Sequence, residues 1–309
     1  MKHAEKFRGT GVALVTPFRD SGSLDEDALR RFVEWQVEQG TDFLVPCGTT
    51  GENPSLTRAE HLRVVEITIE AAAGKVPVLA GAGSNSTETA IDFALAVIDL
   101  GADGILTITP YYNKPSPDGL LRHFSSQAEA VEKKSSGFPM IVYNVPGRTG
   151  CNIDPVTLER IGEAIPNVVG IKEASADLDQ IMQMIRRRKE GFLILSGDDS
   201  WTLPLIALGG DGVVSVAANE VPDRMSKMVS AAMAGDLETA RAIHYEILPL
   251  MEGNFIESNP APAKAALKMM GIFESDFVRS PLSPIRDESR EKLRSILSTC
   301  EIDLNERRS

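Results

Sequence analysis

Short, continuously apolar runs recur along most of this chain, each followed by an amphipathic helical pattern. No other feature constrains the fold as strongly. The runs cover residues 11–16, 42–47, 76–80, 104–109, 140–144, 168–172, 192–195 and 212–216. Their starts fall about 29 residues apart, the size of one strand-plus-helix unit. Strands that are apolar on both faces indicate a parallel sheet covered by helices, not a sheet with one wet face. Helix-start signals lie between them. Ser23-Leu24-Asp25-Glu26 reads as a capping box ahead of Leu29, Phe32, Val33 and Val37, with Gly40 closing the helix. Thr57-Arg58-Ala59-Glu60 reads as a second capping box, and Asp154-Pro155 as an N-cap with proline at the first helical position.

Eight such units predict an α/β chain folded as a (β/α)8 TIM barrel. An open doubly wound sheet is the alternative that the same local pattern allows. After residue 235 the strand pattern stops, and 236–252, 260–271 and 286–299 read as helices. The expected division is therefore a catalytic barrel over 1–235 and a small C-terminal helical domain over 236–309, with the charged end at 305–308 frayed.

Composition removes several function classes. A net charge of -12 disfavours nucleic acid and anionic membranes as partners, because both require basic surface. No run approaches the ~18 apolar residues of a membrane span. Cys47, Cys151 and Cys300 are odd in number and form no CxxC pair, which fits a reducing, cytoplasmic setting better than a disulfide framework. The four histidines lack ligand spacing, so no metal is expected. No glycine-rich nucleotide motif follows a strand, and no organic cofactor is expected.

In a barrel the chemistry sits at the carboxyl ends of the strands. The sixth run ends in Lys172. An amine held inside a barrel mouth is desolvated, which lowers its pKa and frees a nucleophile for a carbonyl. The second run leads into Gly48-Thr49-Thr50-Gly51-Glu52, whose amides and hydroxyls could hold a carboxylate. Tyr143 lies next to the end of the fifth run and can donate or accept a proton. Arg148, after Pro146-Gly147, has the forked geometry for a second carboxylate. Each residue alone has an ordinary structural explanation: a turn, a core tyrosine, a surface cation. Their recurrence at successive strand ends points to a site.

At these same residues the sequence resembles the dihydrodipicolinate synthase family, within the wider N-acetylneuraminate lyase superfamily. The match runs through GVALVTPF at 11–18, GTTGE at 48–52, TPYYNKP at 109–115, YNVPGRTG at 143–150, GIKEA at 170–174, LSGDD at 195–199 and GGDGVVSV at 209–216. The resemblance implies an enzyme that condenses pyruvate with L-aspartate 4-semialdehyde, built as a homotetramer of two tight dimers. It implies that Lys172 forms the Schiff base. Thr50, Tyr143 and Tyr112 would form a proton relay supported by Thr49, with Tyr112 reaching into a neighbouring subunit. Thr50, Gly197 and the backbone of Val214 would contact substrate, and Arg148 would bind the semialdehyde's carboxylate. Sugar-acid lyases of the superfamily share the lysine and tyrosine but typically lack this arginine. The resemblance also implies an allosteric lysine site at His61, Asn85 and Tyr111. Thr89 stands where inhibited members usually carry a glutamate, so weak or absent feedback inhibition is expected.

Overall fold

The computed structural model describes residues 4–304, so the expected fraying at 305–308 lies outside the described residues. Eight strands form: β1 (Gly9–Ala13), β2 (Phe43–Val45), β3 (Leu79–Gly81), β4 (Gly104–Ile108), β5 (Met140–Asn144), β6 (Val168–Glu173), β7 (Leu193–Ser196) and β8 (Gly212–Ser215). Neighbours pair in parallel, in the order β2-β1-β8-β7-β6-β5-β4-β3. The two ends of that order meet. Leu44 N–H donates to the Pro77 carbonyl at 3.0 Å, Gly81 N–H donates to that of Pro46 at 2.9 Å, and Leu44 bridges Val78. The sheet therefore closes as a barrel and leaves no edge to protect, and the open-sheet alternative falls away.

Two apolar layers explain the continuously apolar strands. Phe43, Val45, Leu79, Leu106, Ile141 and Leu195 fill the barrel interior. Phe7 packs edge-to-face on Phe43, with ring centroids 5.6 Å apart. The outward residues, such as Val12, Leu44, Ile105 and Val142, meet the surrounding helices. Those are α1 (Glu26–Glu38), α2 (Arg58–Ala72), α3 (Thr87–Asp99), α4 (Pro117–Lys134), the single turn α5 (Pro146–Thr149), α6 (Pro155–Ala164), α7 (Leu178–Arg187), α8 (Thr202–Ala207) and α9 (Pro222–Met233). On α1, Leu29, Phe32 and Val33 are buried as the spacing predicts, each contributing about 1.5–3 kcal/mol.

One local expectation changes, and one strand departs from regular alternation. The cap of α1 is Asp25, whose carboxylate accepts from Ala28 N–H at 3.1 Å, and not Ser23. Both residue types can cap, so the pattern left two registers open and tertiary packing chose the later one. The box at Thr57 and Glu60 and the cap at Asp154 form as expected. Strict alternation along β6 would place Val168, Gly170 and Lys172 on one face. Instead Met140 pairs with Val168 and the next residue, Ile141, pairs with Gly170. This irregularity inserts one residue, so Val168 joins the outer layer while Lys172 still points inward.

Helices α10 (Leu237–Gly253), α11 (Ala261–Met269) and α12 (Asp287–Thr299) follow the last strand. They are not a detached appendage. Lys264 of α11 reaches Glu52 in the loop after β2, and Arg279 pairs with Glu60 of α2. Among the described residues no helix is long and apolar enough to cross a membrane. Cys47, Cys151 and Cys300 are all buried and unbonded.

Candidate functional site

β6 carries Lys172 into the barrel mouth beside Tyr143 of β5, its direct partner across the sheet. The lysine is 5% exposed, and its Nζ lies 4.3 Å from the centroid of the Tyr143 ring. Gly197 leaves room for its stem, and Gly170 leaves room for Leu193 on the neighbouring strand. A Cβ at Gly197 would stand 3.1 Å from both Cγ and Cε of Lys172, and one at Gly170 would stand 2.8 Å from the Cβ of Leu193. Burial pulls the Lys172 ammonium down to about 8, the Asp199 charge resists, and Arg148 pushes the same way as burial. Among the described residues no carboxylate pairs with it directly, so the amine is poised rather than neutralised.

Asp199 is buried where β7 runs into α8. Its Oδ2 accepts from Val216 and Ala217 N–H at 3.0 and 2.9 Å. Burial raises its carboxyl to about 6 even so, against the pull of Ser215 and these amides. It supplies a distant negative charge without capturing the amine.

Tyr143 is pushed up to about 12 by burial, with the Arg148 charge and a contact from the Thr49 hydroxyl pulling it back. A phenol of that acidity is a proton donor at neutral pH, and its conjugate base is strong. Thr49, Tyr143, Tyr111 and Asn53 line one small cavity. Arg148 is exposed on α5, makes no ion pair with any described residue, and acts electrostatically on both Lys172 and Tyr143. A rigid turn holds it there. Thr149 Oγ1 donates to the Cys151 carbonyl at 2.9 Å, and Asn144 Nδ2 ties Asn152 at 2.8 Å and Glu173 at 2.9 Å.

The two threonines of this loop have different partners. Thr49 is the hydroxyl in contact with Tyr143. Thr50, expected in the relay, is buried at 3% exposure, and its Oγ1 accepts from Asn259 Nδ2 at 3.0 Å. Adjacent residues of a turn face different ways. The loop around them is tightly fixed. Thr16 Oγ1 donates to the Gly51 carbonyl at 2.7 Å, and Glu52 sits at φ +55.

Val214 lies in the barrel interior and Gly197 against the Lys172 stem. Tyr112 is apart from them, 86% exposed at φ +74. His61 is buried on α2 with both ring nitrogens engaged, Nδ1 by Asn53 at 2.8 Å and Nε2 by the Gly81 carbonyl at 2.9 Å. Burial drops its pKa to about 4. Asn85 and Tyr111 are half-buried. The sequence reading assigned no role to Asp199, Asn259 or Lys264. A visible hint was a lysine inside the otherwise apolar Ala261-Pro262-Ala263-Lys264-Ala265-Ala266-Leu267.

Comparison with known proteins agrees with this geometry. The model of the dihydrodipicolinate synthetase family matches residues 6–300. The chain is 51% identical over 292 residues to the 4-hydroxy-tetrahydrodipicolinate synthase of Koribacter versatilis, covering 94% of this chain and 95% of that one. The crystal structure of dihydrodipicolinate synthase from Aquifex aeolicus superposes with a TM-score of 0.93 at 41% identity, covering 97% of this chain and 100% of the other. The chloride-inhibited dihydrodipicolinate synthase from Acinetobacter baumannii, complexed with pyruvate, gives 0.92 at 42% identity over 96% and 99% of the two chains. A closed barrel, a buried lysine beside a buried tyrosine, and matches spanning nearly the whole length lead to one conclusion: the chain belongs to the dihydrodipicolinate synthetase family.

Proposed function

We propose that this chain acts as a 4-hydroxy-tetrahydrodipicolinate synthase, a lyase that joins pyruvate to L-aspartate 4-semialdehyde through a Schiff base on Lys172. The observation that carries the reading is a buried amine lowered to about 8, set over Tyr143 and left without a direct carboxylate partner. The neutral amine adds to the ketone of pyruvate. Tyr143 gives its proton to the carbinol oxygen, which leaves as water, and an iminium forms. The phenolate so generated sits near the Arg148 charge and takes a proton from the substrate methyl group. The C–H electron pair becomes the enamine double bond, and the iminium nitrogen becomes neutral. The enamine carbon attacks the aldehyde, whose oxygen takes the proton from Tyr143 to become a hydroxyl as the iminium re-forms; the semialdehyde's own amine then adds to that iminium carbon, and the carbon–Lys172 nitrogen bond breaks as the ring closes.

Tyr143 exchanges protons through Thr49, the hydroxyl that contacts it. Thr50, Gly197 and the backbone of Val214 surround pyruvate. Tyr112 completes the relay from a neighbouring copy, and its 86% exposure and projecting backbone suit that use. The assembly is then a homotetramer in the cytoplasm. Arg148, exposed at the mouth without an ion pair among the described residues, suits the carboxylate of the incoming aldehyde. His61, Asn85 and Tyr111 border a lysine-binding site weakened by Thr89, so lysine below the millimolar range leaves turnover unchanged; strong inhibition there overturns this point. A substrate panel tests the main reading. Turnover of pyruvate with L-aspartate 4-semialdehyde supports it, and cleavage of a 2-keto-3-deoxy sugar acid without semialdehyde turnover contradicts it.

A further inference from the structure

Thr50 and Asn259 meet across 209 residues of sequence, and both are almost wholly buried. We infer that Asn259, just ahead of α11, is a positioning residue that fixes the Thr50 hydroxyl as a proton donor to the pyruvate carboxylate. The inference rests on the assignment of Thr50 to pyruvate made above.

The hydrogen-bond inventory supplies the argument. A hydroxyl has one proton and two lone pairs. Asn259 Nδ2 donates into one lone pair at 3.0 Å, so the hydroxyl's single proton is directed elsewhere. An anionic carboxylate can only accept, and a hydroxyl that has spent its proton on a neighbour would present it with lone pairs and repel it. The opposite amide orientation would do that, with the Asn259 carbonyl taking the Thr50 proton. In the structure that carbonyl oxygen is buried and has no partner among the described residues.

The segment bearing Asn259 is itself anchored to the same loop. Five residues on, Lys264 Nζ meets Glu52 Oε1 at 2.6 Å, with side chains 0% and 1% exposed. Arg279 N–H binds the other carboxylate oxygen at 2.9 Å. Lys264 N–H also donates to the Pro260 carbonyl at 3.0 Å, which ties the start of α11 to the lysine. Thr50 and Glu52 are thus gripped by Asn259 and Lys264 in turn, and the C-terminal helices supply part of the pyruvate site from a distance.

The test uses the full-length enzyme with pyruvate and semialdehyde as substrates. Asn259→Leu keeps the volume and removes the donor; it raises the KM for pyruvate by about tenfold, as for a lost hydrogen bond to a charged group. Its kcat and its KM for the semialdehyde stay within about twofold of wild type. Asn259→Asp, which offers an acceptor in place of the donor, raises the pyruvate KM further. In a Thr50→Val background, Asn259→Leu changes the pyruvate KM by less than about twofold, because the residue acts through Thr50. An unchanged pyruvate KM in Asn259→Leu overturns the inference. So does a parallel loss of kcat and melting temperature, or full additivity with Thr50→Val. Should the leucine variant not fold, the near-isosteric aspartate variant carries the same comparison. Absence of a pyruvate adduct on wild-type Lys172 defeats the underlying assignment instead, whereas an adduct with no effect at Asn259 defeats only this inference.

Discussion

Lys172 at the barrel mouth and Lys264 on a C-terminal helix are both buried lysines, and burial brings both ammonium groups down to about 8. Burial therefore does not separate a nucleophile from a structural cation; their partners do. Lys264 is held by Glu52 at 2.6 Å, and the Phe18 ring centroid lies 4.3 Å from its Nζ. Its Nζ is committed to that ion pair and is not free to meet a substrate carbonyl. Lys172 has an aromatic ring beneath it, a carboxylate acting only from a distance, and a glycine at 197 that leaves its stem room. One lysine is spent on locking a loop, and the other is kept available at the strand end where that loop arrives.

The sharpest way to break this contrast is to remove each lysine in turn. Lys172→Met abolishes turnover by more than about a thousandfold while leaving the fold intact, since no buried partner is orphaned. Measured kcat together with urea unfolding checks both halves. Lys264→Met strands a buried Glu52 carboxylate and costs about 3–5 kcal/mol in the same unfolding experiment. Adding Glu52→Gln to that variant recovers part of the loss. Equal destabilisation by the two lysine substitutions would erase the distinction.

Arg148→Ala separates the two carbonyl substrates. It lowers kcat/KM for the semialdehyde on the order of a hundredfold, while pyruvate adduct formation persists. Parallel loss of both steps would contradict a role at the second substrate. The pH dependence sharpens the same comparison with a smaller effect. The neutral amine is the nucleophile, so the rate of adduct formation rises with pH and levels off above about 8. Arg148 helps to lower Lys172, so Arg148→Ala moves that inflection upward and slows trapping at neutral pH. Stopped-flow trapping across the pH range reads the shift, and a downward shift would contradict the electrostatic assignment.

Much of this was legible in the sequence, for identifiable reasons. The eight strands were readable because a closed parallel barrel is apolar on both faces, and every unit repeats that demand. Lys172, Tyr143 and Arg148 stood out because each is a polar group at or just past the end of an apolar run, where barrel chemistry occurs. The choice between Ser23 and Asp25 as a cap depended on packing that the local pattern does not record. The inserted residue in β6 had no local signature, since Val168 and Val169 are both at home on either face of a strand. Asn259 and Lys264 were missed for a similar reason: their partners lie 209 and 212 residues away, and short-range periodicity carries no record of such contacts.

The central claim is that Lys172, and not the equally buried Lys264, forms the covalent intermediate. Incubation with pyruvate, reduction with borohydride and mass spectrometry of the peptides test it directly. A reduced pyruvyl adduct confined to Lys172 is the predicted result. An adduct on Lys264 or any other lysine, or no adduct at all, would contradict the account.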